Sequence, residues 1–551
     1  MEDNQIIQHA THPDMVDIHP DSIPIKYMMT ASSNTREYKV PATNTIPGTA
    51  TPGKVSFNNI RLNPGEALDR TVLLETTISI TVTGGGNGAA GVASFAKLNG
   101  LSLAAYPLHR AMTDLNVRLN GNGKSIAPWE LVGAFNHTHD SIEYRRLNTF
   151  PSQPDNFNTR QAMAISGGPR VTNAYADSNA VLAVGAAVGV FETESAPDSP
   201  YAAFSSSYDV PRCKFPPESI TVVDSTGGAP ATITFTYKVT EPLLHPFFRT
   251  NEFKSVLSRV SNLDVDILFG DLRACFVNSP ELIKTWNDIS ATTALTQATV
   301  GLPSITSANL LYRVYVPTVQ VPMVLSIPYM EPVVYREPVP PFAAGADRRK
   351  SINTRTYQIA QVPHRILLFA RPRGQFTDSA SPEAFLTIDK IQFRTSSDSG
   401  GLANASNAHL FQISQRNGLN MPYNKFARDI GSIVVLDLEK GDIGGFVPGT
   451  RESFNFDISV DFVNNLHTRP LAGGFVFEDA VGTAPTKTVF DFYIVCQMDS
   501  RMILDGTNCT LVNGENQELV KQVLAERPIS IVGDQMTNRG VLVGGSWKAL
   551  V

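Results

Sequence analysis

The cleanest alternation in the chain runs over residues 454–462. Phe454, Phe456, Ile458, Val460 and Phe462 alternate with Asn455, Asp457, Ser459 and Asp461. A period of two predicts a strand with one buried and one wet face. Residues 232–239 repeat the pattern, with Ile233, Phe235, Tyr237 and Val239 against Thr232, Thr234, Thr236 and Lys238. Leu263, Val265 and Ile267 alternate with Asp264 and Asp266, and Tyr312, Val314 and Val316 form a further strand closed by Pro317. Residues 71–83 are rich in β-branched side chains, which favour strands. The apolar runs 433–438 and 489–496 read as strands too, the second as the last of its domain. The strand over 385–394 changes phase between Ile388 and Ile391, which predicts a bulge.

Helical signals are few. Residues 128–135 begin with Pro128 at a first helical position and carry Glu130 in the first turn. Residues 407–416 have Ser406 as a cap and Gly418 just beyond their end. Leu519, Val520, Val523 and Leu524 share one helical face in 515–526, and Pro528 ends that segment.

These signals divide the 551 residues as follows. Residues 1–35 are an N-terminal arm, read equally as a disordered end or an ordered strap between subunits. Residues 36–318 form a first β domain with a polar, tower-like excursion over about 140–215. Residues 319–328, with Pro322 and Pro328, are a linker. Residues 329–500 form a second β domain, and 501–551 a tail with the short helix. Both halves share a plan of early strands, a turn, one short helix and later strands. The 39 Gly and 37 Pro are spread along the chain as turn punctuation.

Composition narrows the function. A net charge of −6 and an acidic arm are unsuited to coating nucleic acid, so no direct sequence-specific nucleic-acid binding is expected. The N-terminus lacks a basic region with an apolar core, so no secretory leader is expected. The apolar run 180–191 is too short to span a membrane, and no transmembrane protein is predicted. Cys213, Cys275, Cys496 and Cys509 contain no CxxC pair, which argues against zinc and leaves pairing open.

Candidate chemistry is sparse. Gly121, Asn122, Gly123, Lys124 and Ser125 look like the end of a phosphate loop, but Arg118 stands where the motif needs glycine; a tight turn after Leu119 is the expectation. On a strand His137 and His139 would share a face, but Asp140 would point away and no third histidine or cysteine stands nearby, so the segment reads as a solvent-facing loop. Asp264 and Asp266 read as a solvated strand face rather than an acid–base pair. The sequons at Asn136, Asn404 and Asn508 read as chance matches. No catalytic residue, cofactor or metal site is predicted, and the chain is not expected to be an enzyme.

A family resemblance rests on the order of several pieces. These are residues 361–372, 384–394, 407–418 and 433–438, preceded by 68–74, 106–110 and 115–121 and by the helix at 128. The succession resembles the double jelly-roll major capsid proteins of virophages and polinton-like viruses. The resemblance implies an all-β fold of two tandem eight-stranded jelly rolls with short flanking helices and long surface loops. It implies homotrimeric pseudo-hexagonal capsomers tiling an icosahedral shell around a DNA genome. Implied partners are further copies of the chain, penton proteins and minor or cement proteins. The implied location is the virion capsid, assembled in the host cytoplasm or nucleus. Maturation proteases accompany this capsid lineage, and Leu542, Val543, Gly544, Gly545 and Ser546 match their pattern of a large aliphatic, any residue and Gly-Gly; a flexible turn is the plainer account. Two alternatives stand beside the capsid reading. One is a β-sandwich adhesin or spike. The other is a carbohydrate-active jelly-roll protein, for which 3 Trp and no compact acid pair offer little.

Overall fold

A computed structural model describes residues 35–44, 53–84, 102–103, 106–138, 218–223, 232–248, 256–277, 298–316, 325–342, 349–373, 385–395, 400–464, 490–514 and 540–549, except 64, 301, 439, 441–442, 444–445, 447 and 544–545. Nearly all of the arm, the 140–215 excursion, the 515–526 helix, Cys213, His139 and Asp140 lie outside the described residues.

In the first half, the strands are β1 (Thr35–Pro41), β2 (Gly53–Arg61), β3 (Ala67–Asp69), β4 (Leu73–Gly84), β5 (Ser102–Leu103), β6 (Met112–Leu119), β7 (Asn122–Ile126), β8 (Ser219–Val223), β9 (Thr232–Pro242), β10 (Val256–Ser258), β11 (Asn262–Phe269), β12 (Phe276–Val277), β13 (Ala298–Val300) and β14 (Ser304–Tyr315). Helices α1 (Pro107–Ala111) and α2 (Pro128–Phe135) interrupt them. The second half has β15 (Leu325–Pro338), β16 (Arg349–Asn353), β17 (Tyr357–Ile359), β18 (Arg365–Pro372), β19 (Thr387–Thr395), α3 (Asn407–Arg416), β20 (Val434–Asp437), β21 (Phe454–Val463), β22 (Phe490–Leu504) and β23 (Cys509–Asn513). A terminal hairpin pairs β24 (Gly540–Val543) with β25 (Ser546–Ala549).

The pairing gives both halves one topology. In the first, β1, β14, β4 and β9 lie side by side, as do β2, β11, β6 and β7. Numbered by place in the roll, with β3 and β4 as one strand, these are orders 1-8-3-6 and 2-7-4-5. In the second half β15, β22, β18 and β20 repeat 1-8-3-6. There β16 and β17 together flank one edge of β21 while β19 flanks the other, repeating 2-7-4. Helix α3 stands in the chain where the fifth strand would come. This is a double jelly roll: two sheets per roll, face to face.

Apolar alternation sets the cores. In β21 every other residue is buried, and Phe462 meets Phe492 of the opposite sheet with ring centroids 5.4 Å apart. In the first roll Phe235, Tyr237 and Val239 of β9 and Leu263, Val265, Ile267 and Phe269 of β11 are buried. The expected bulge lies in β19, where the register shifts between Ile388 and Lys390. Ser406 caps α3 by accepting from the His409 amide at 3.3 Å, and Gly418 follows the helix in a left-handed conformation (φ 105°).

Some details differ from expectation. The turn after Leu119 is Asn120–Gly121, both at positive φ, and Asn122 and Gly123 already belong to β7. An Asn-Gly pair matches the twist of a two-residue hairpin. Leu325 to Pro328, read as linker, are part of β15, and β22 continues past 500 to Leu504, with β23 added to its edge. His137 is not solvent-facing: it is 4% exposed. Its carbonyl accepts from the Asn420 amide at 2.6 Å, and Thr138 bridges to Leu419, so the second roll covers this loop.

Candidate functional site: the seam between the two rolls

A polar cluster of the described residues lies where the two rolls meet. Helix α2 supplies its centre. Pro128 fixes the first turn, which puts Trp129 and Glu130 at the end facing the second roll. Arg336 of β15 pairs with Glu130, which is 3% exposed. The Arg336 guanidinium also lies 6.0 Å from the Trp129 ring centroid and 5.5 Å from that of Tyr493. Arg371 of β18 lies 5.1 Å from the Trp129 ring and donates to the Trp129 carbonyl at 2.5 Å. Arginine suits the place because it stacks on rings while its N–H fork remains available.

Burial pushes the Glu130 carboxyl above its ordinary range, and the attraction of Arg336 and Arg371 offsets this only in part. A pair buried in this way adds little net stability, because the cost of desolvating the charges offsets their attraction. Beside it, Arg373 forms a forked contact with Asp491, with Nη2 to Oδ1 at 2.7 Å.

The β6–β7 hairpin makes the second contact. Lys124 meets Glu331 of β15 at 2.8 Å, and the Asn122 side chain donates to the Cys509 carbonyl at 3.1 Å. The buried His245 ring lies 3.1 Å from the Lys124 carbonyl and accepts from the Phe247 amide at 3.2 Å, so Nε2 carries the proton and the ring is neutral. Burial depresses its pKa to about 3. Phe247 then meets Tyr329 of β15 edge to face, 5.2 Å between centroids.

The seam occupies the outer face of the second roll's 1-8-3-6 sheet. Phe492 points into the core, so its neighbour Tyr493, under Arg336, points away. Both faces are consequently covered: the first nine residues of β22, from Phe490 to Met498, are all buried.

The other candidate residues are not assembled into a site. Gly121, Gly123, Lys124 and Ser125 lie in or beside the β6–β7 hairpin rather than a strand-to-helix phosphate loop. Asp264 and Asp266 form an ion ladder: Asp266 meets Lys54 and Arg118, each at 3.1 Å, and accepts from Ser56 at 2.7 Å. Burial alone would raise the Asp266 pKa, but the bonds from Ser56 and Lys54 outweigh it and hold it low. Asn136 is buried, whereas Asn404 and Asn508 are exposed. Cys275, Cys496 and Cys509 are buried thiols. No group of three metal-ligating side chains occurs among the described residues, and none of their helices is long and apolar enough to cross a membrane. Leu542 and Val543 sit in β24 and Ser546 in β25, with Val543 paired to Ser546; Gly544 and Gly545 lie outside the described residues.

Sequence reasoning took Glu130 as a helix-dipole residue and passed over Trp129, Arg336 and Arg371. The one available signal was a tryptophan at the start of an apolar helix, in a chain with only 3 Trp.

A model of the first domain of the Sputnik virophage major capsid protein matches residues 25–315, more than half of the chain. A model of the C-terminal domain of the V20 major capsid protein matches residues 341–442. Among solved structures, that of the Sputnik virophage by electron cryo-microscopy is similar at TM-score 0.62 and 17% identity, covering 93% of this chain and 95% of that one. The crystal structure of the mavirus major capsid protein is similar at TM-score 0.60 and 13% identity, with the same coverage of both chains. No curated protein is matched.

Proposed function

The chain belongs to the virophage major capsid protein family typified by Sputnik, and from that premise we propose that three copies form a pseudo-hexagonal capsomer that tiles an icosahedral shell around a DNA genome. Proteins of this family are structural, and this one is a component of the virion capsid rather than an enzyme.

The observation that carries the proposal is the repeat of one strand order in two rolls locked by the α2 seam. Two rolls of like topology, fixed as one body, give three chains six similar blocks. Six similar blocks close a ring with hexagonal outline, and hexagons tile a flat facet. Penton and minor or cement proteins would complete vertices and joints, and assembly would take place in the host cytoplasm or nucleus. The arm over 1–35 and, of the tail over 501–551, the part beyond the paired strand β23 are offered as the segments that reach neighbours.

Light scattering on the purified full chain, with negative-stain imaging of the same fraction, tests this. A mass three times that of the 59.8 kDa chain and a hexagonal outline are expected. A monomer at all salt and pH values would overturn the trimer. The same proposal extends to Leu542, Val543, Gly544, Gly545 and Ser546 as a maturation-protease recognition segment. Its support is the match to the cleavage pattern, and the β24–β25 pairing would have to open for cleavage. Intact-mass measurement on virion-derived protein tests it: a chain ending after Gly545 is expected, and an uncut chain would remove the idea.

A further inference from the structure

An unpaired strand edge is a template on which another chain can add a strand. Among the described residues, β2 and β19 each pair along one side with a long strand. Both are bent by a register shift, β2 opposite Leu263 and Val265 and β19 between Ile388 and Lys390. A bulge twists an edge away from flat pairing. Strand β15 has no such shift. It is 14 residues long, pairs only with β22, and keeps one register from Leu325 to Pro338. No other edge strand among the described residues is as long.

The pairing fixes which backbone groups of β15 face outward. The Val339 amide, just past the strand, donates to the Phe490 carbonyl at 2.9 Å, so the odd-numbered residues hydrogen-bond to β22. In an antiparallel pair the alternate residues turn both N–H and C=O to the other side. Those residues are Ser326, Pro328, Met330, Pro332, Val334, Arg336 and Pro338. Proline has no amide hydrogen, and its ring fills the place where one would point. The outward row therefore offers acceptors throughout but donors only at Ser326, Met330, Val334 and Arg336. An added strand would find its ladder broken at Pro328, Pro332 and Pro338. Pro328 and Pro338 are exposed, so their rings do not serve to fill the core.

The counterpart strand of the first roll is treated alike. β1 holds the first place in the 1-8-3-6 order, as β15 does in the second roll. The Ala42 amide donates to the Ala308 carbonyl at 2.8 Å, so Glu37, Lys39 and Pro41 turn their backbone outward. Glu37 and Lys39 are exposed charges, paired to Arg313 at 2.6 Å and to Glu75 at 2.5 Å, and charge on an edge also discourages pairing. We propose that β15 is an edge closed by proline: it refuses an added strand, above all from a second copy of the chain, and leaves association to side-chain surfaces. The need follows from the fold. Two copies of a long, unbent edge can pair with each other, and such pairing competes with any ordered assembly. This holds whatever number of copies the chain forms, because it concerns a contact that the chain avoids.

The test uses the full-length chain. A variant carrying Pro328→Thr, Pro332→Thr and Pro338→Thr together regains the missing donors. Light scattering is expected to show it associating beyond the species of the unsubstituted chain, with onset at about tenfold lower protein concentration. Hydrogen exchange at Val334 and Arg336 is expected to slow on association, because their amides enter the new ladder. Pro340→Thr, at an exposed proline past the end of the strand, is the control and should change neither reading. If the triple variant keeps the melting curve of the unsubstituted chain and the same masses at every concentration, the edge needs no closing and the proposal fails. Association without slowed exchange at Val334 and Arg336, or equal association by Pro340→Thr, overturns it as well. Should the triple variant not fold, Pro328→Thr and Pro338→Thr take the same readings singly. A smaller rise in association with slower exchange supports the closed edge, and no change in either variant overturns it.

Discussion

Arg371 of the second roll reads Trp129 of the first in two ways: its guanidinium donates to the Trp129 carbonyl at 2.5 Å and lies 5.1 Å from the indole centroid. One contact depends on the helix backbone, the other on the side chain. Together they fix both the position and the rotation of α2 against the second roll.

Truncating the ring tests how much it contributes. Trp129→Ala removes both cation–ring contacts, with Arg336 and Arg371, and leaves a gap in a half-buried position. A loss of about 2–3 kcal/mol is expected, less than for a fully buried tryptophan. Urea denaturation should show it, with limited proteolysis cutting earlier between the rolls. An unchanged midpoint would mean that the hairpin contacts alone hold the seam.

Glu130→Gln separates charge from shape. The carboxyl of Glu130 is raised in the folded chain, first by burial. The folded state therefore holds this proton more tightly than the unfolded one. By linkage, its contribution to stability is greatest below the ordinary carboxylate range and falls as pH rises through the raised value. The wild type should gain stability relative to Glu130→Gln on acidification over that window, and the two should differ little at neutral pH. Melting curves from neutral to acid pH measure this, and a wild type that loses ground to the variant on acidification would contradict it.

His245 acts with the opposite sign. Its folded pKa lies near 3, against 6.5 for the free ring, because burial disfavours the cation. Its contribution is present above the unfolded pKa and is lost as pH falls from there toward 3. Near pH 4.5 that loss is on the order of 3 kcal/mol. His245→Gln, which retains a donor for the Lys124 carbonyl, should flatten this part of the stability–pH curve. Parallel curves for the two proteins would refute the assignment.

Gly431 is held at φ 103°, and a Cβ added there would collide with the Phe385 carbonyl oxygen. Backbone strain and overlap act together, so Gly431→Ala should cost about 3 kcal/mol or abolish soluble expression. Gly65→Ala is the control, because it shares a positive φ (93°) but meets nothing within 4 Å. A similar loss at both sites would show that conformation, not contact, matters.

Ser414 ties α3 to the second roll. Its hydroxyl donates to the Leu410 carbonyl at 2.7 Å and accepts from the Val435 amide at 3.0 Å. Ser414→Ala strands a buried amide, which should cost about 1–3 kcal/mol in a denaturant titration. A neutral result would mean that α3 is held by its apolar face alone.

The alternation over 454–463, the bulge in β19 and the caps of α3 were legible in the sequence because they follow local rules. Side chains two apart share a strand face, and a serine oxygen reaches an amide three residues on. The family resemblance was legible too, as an ordered series of such local pieces. The seam was not. Trp129, Arg336, Arg371 and Tyr493 come from four distant segments, and a cation over a ring leaves no periodic trace. His137 was misread for the same reason, since the loop that buries it is Leu419–Asn420, far along the chain. In β22 burial on both faces erased the alternation that would have told core from seam. The sequence by itself determined the strands, the helices and the kind of protein, because short-range sterics and burial write those residue by residue. Which face of each roll meets a neighbour was decided only by the tertiary structure, because that depends on bringing together surfaces that no local pattern connects.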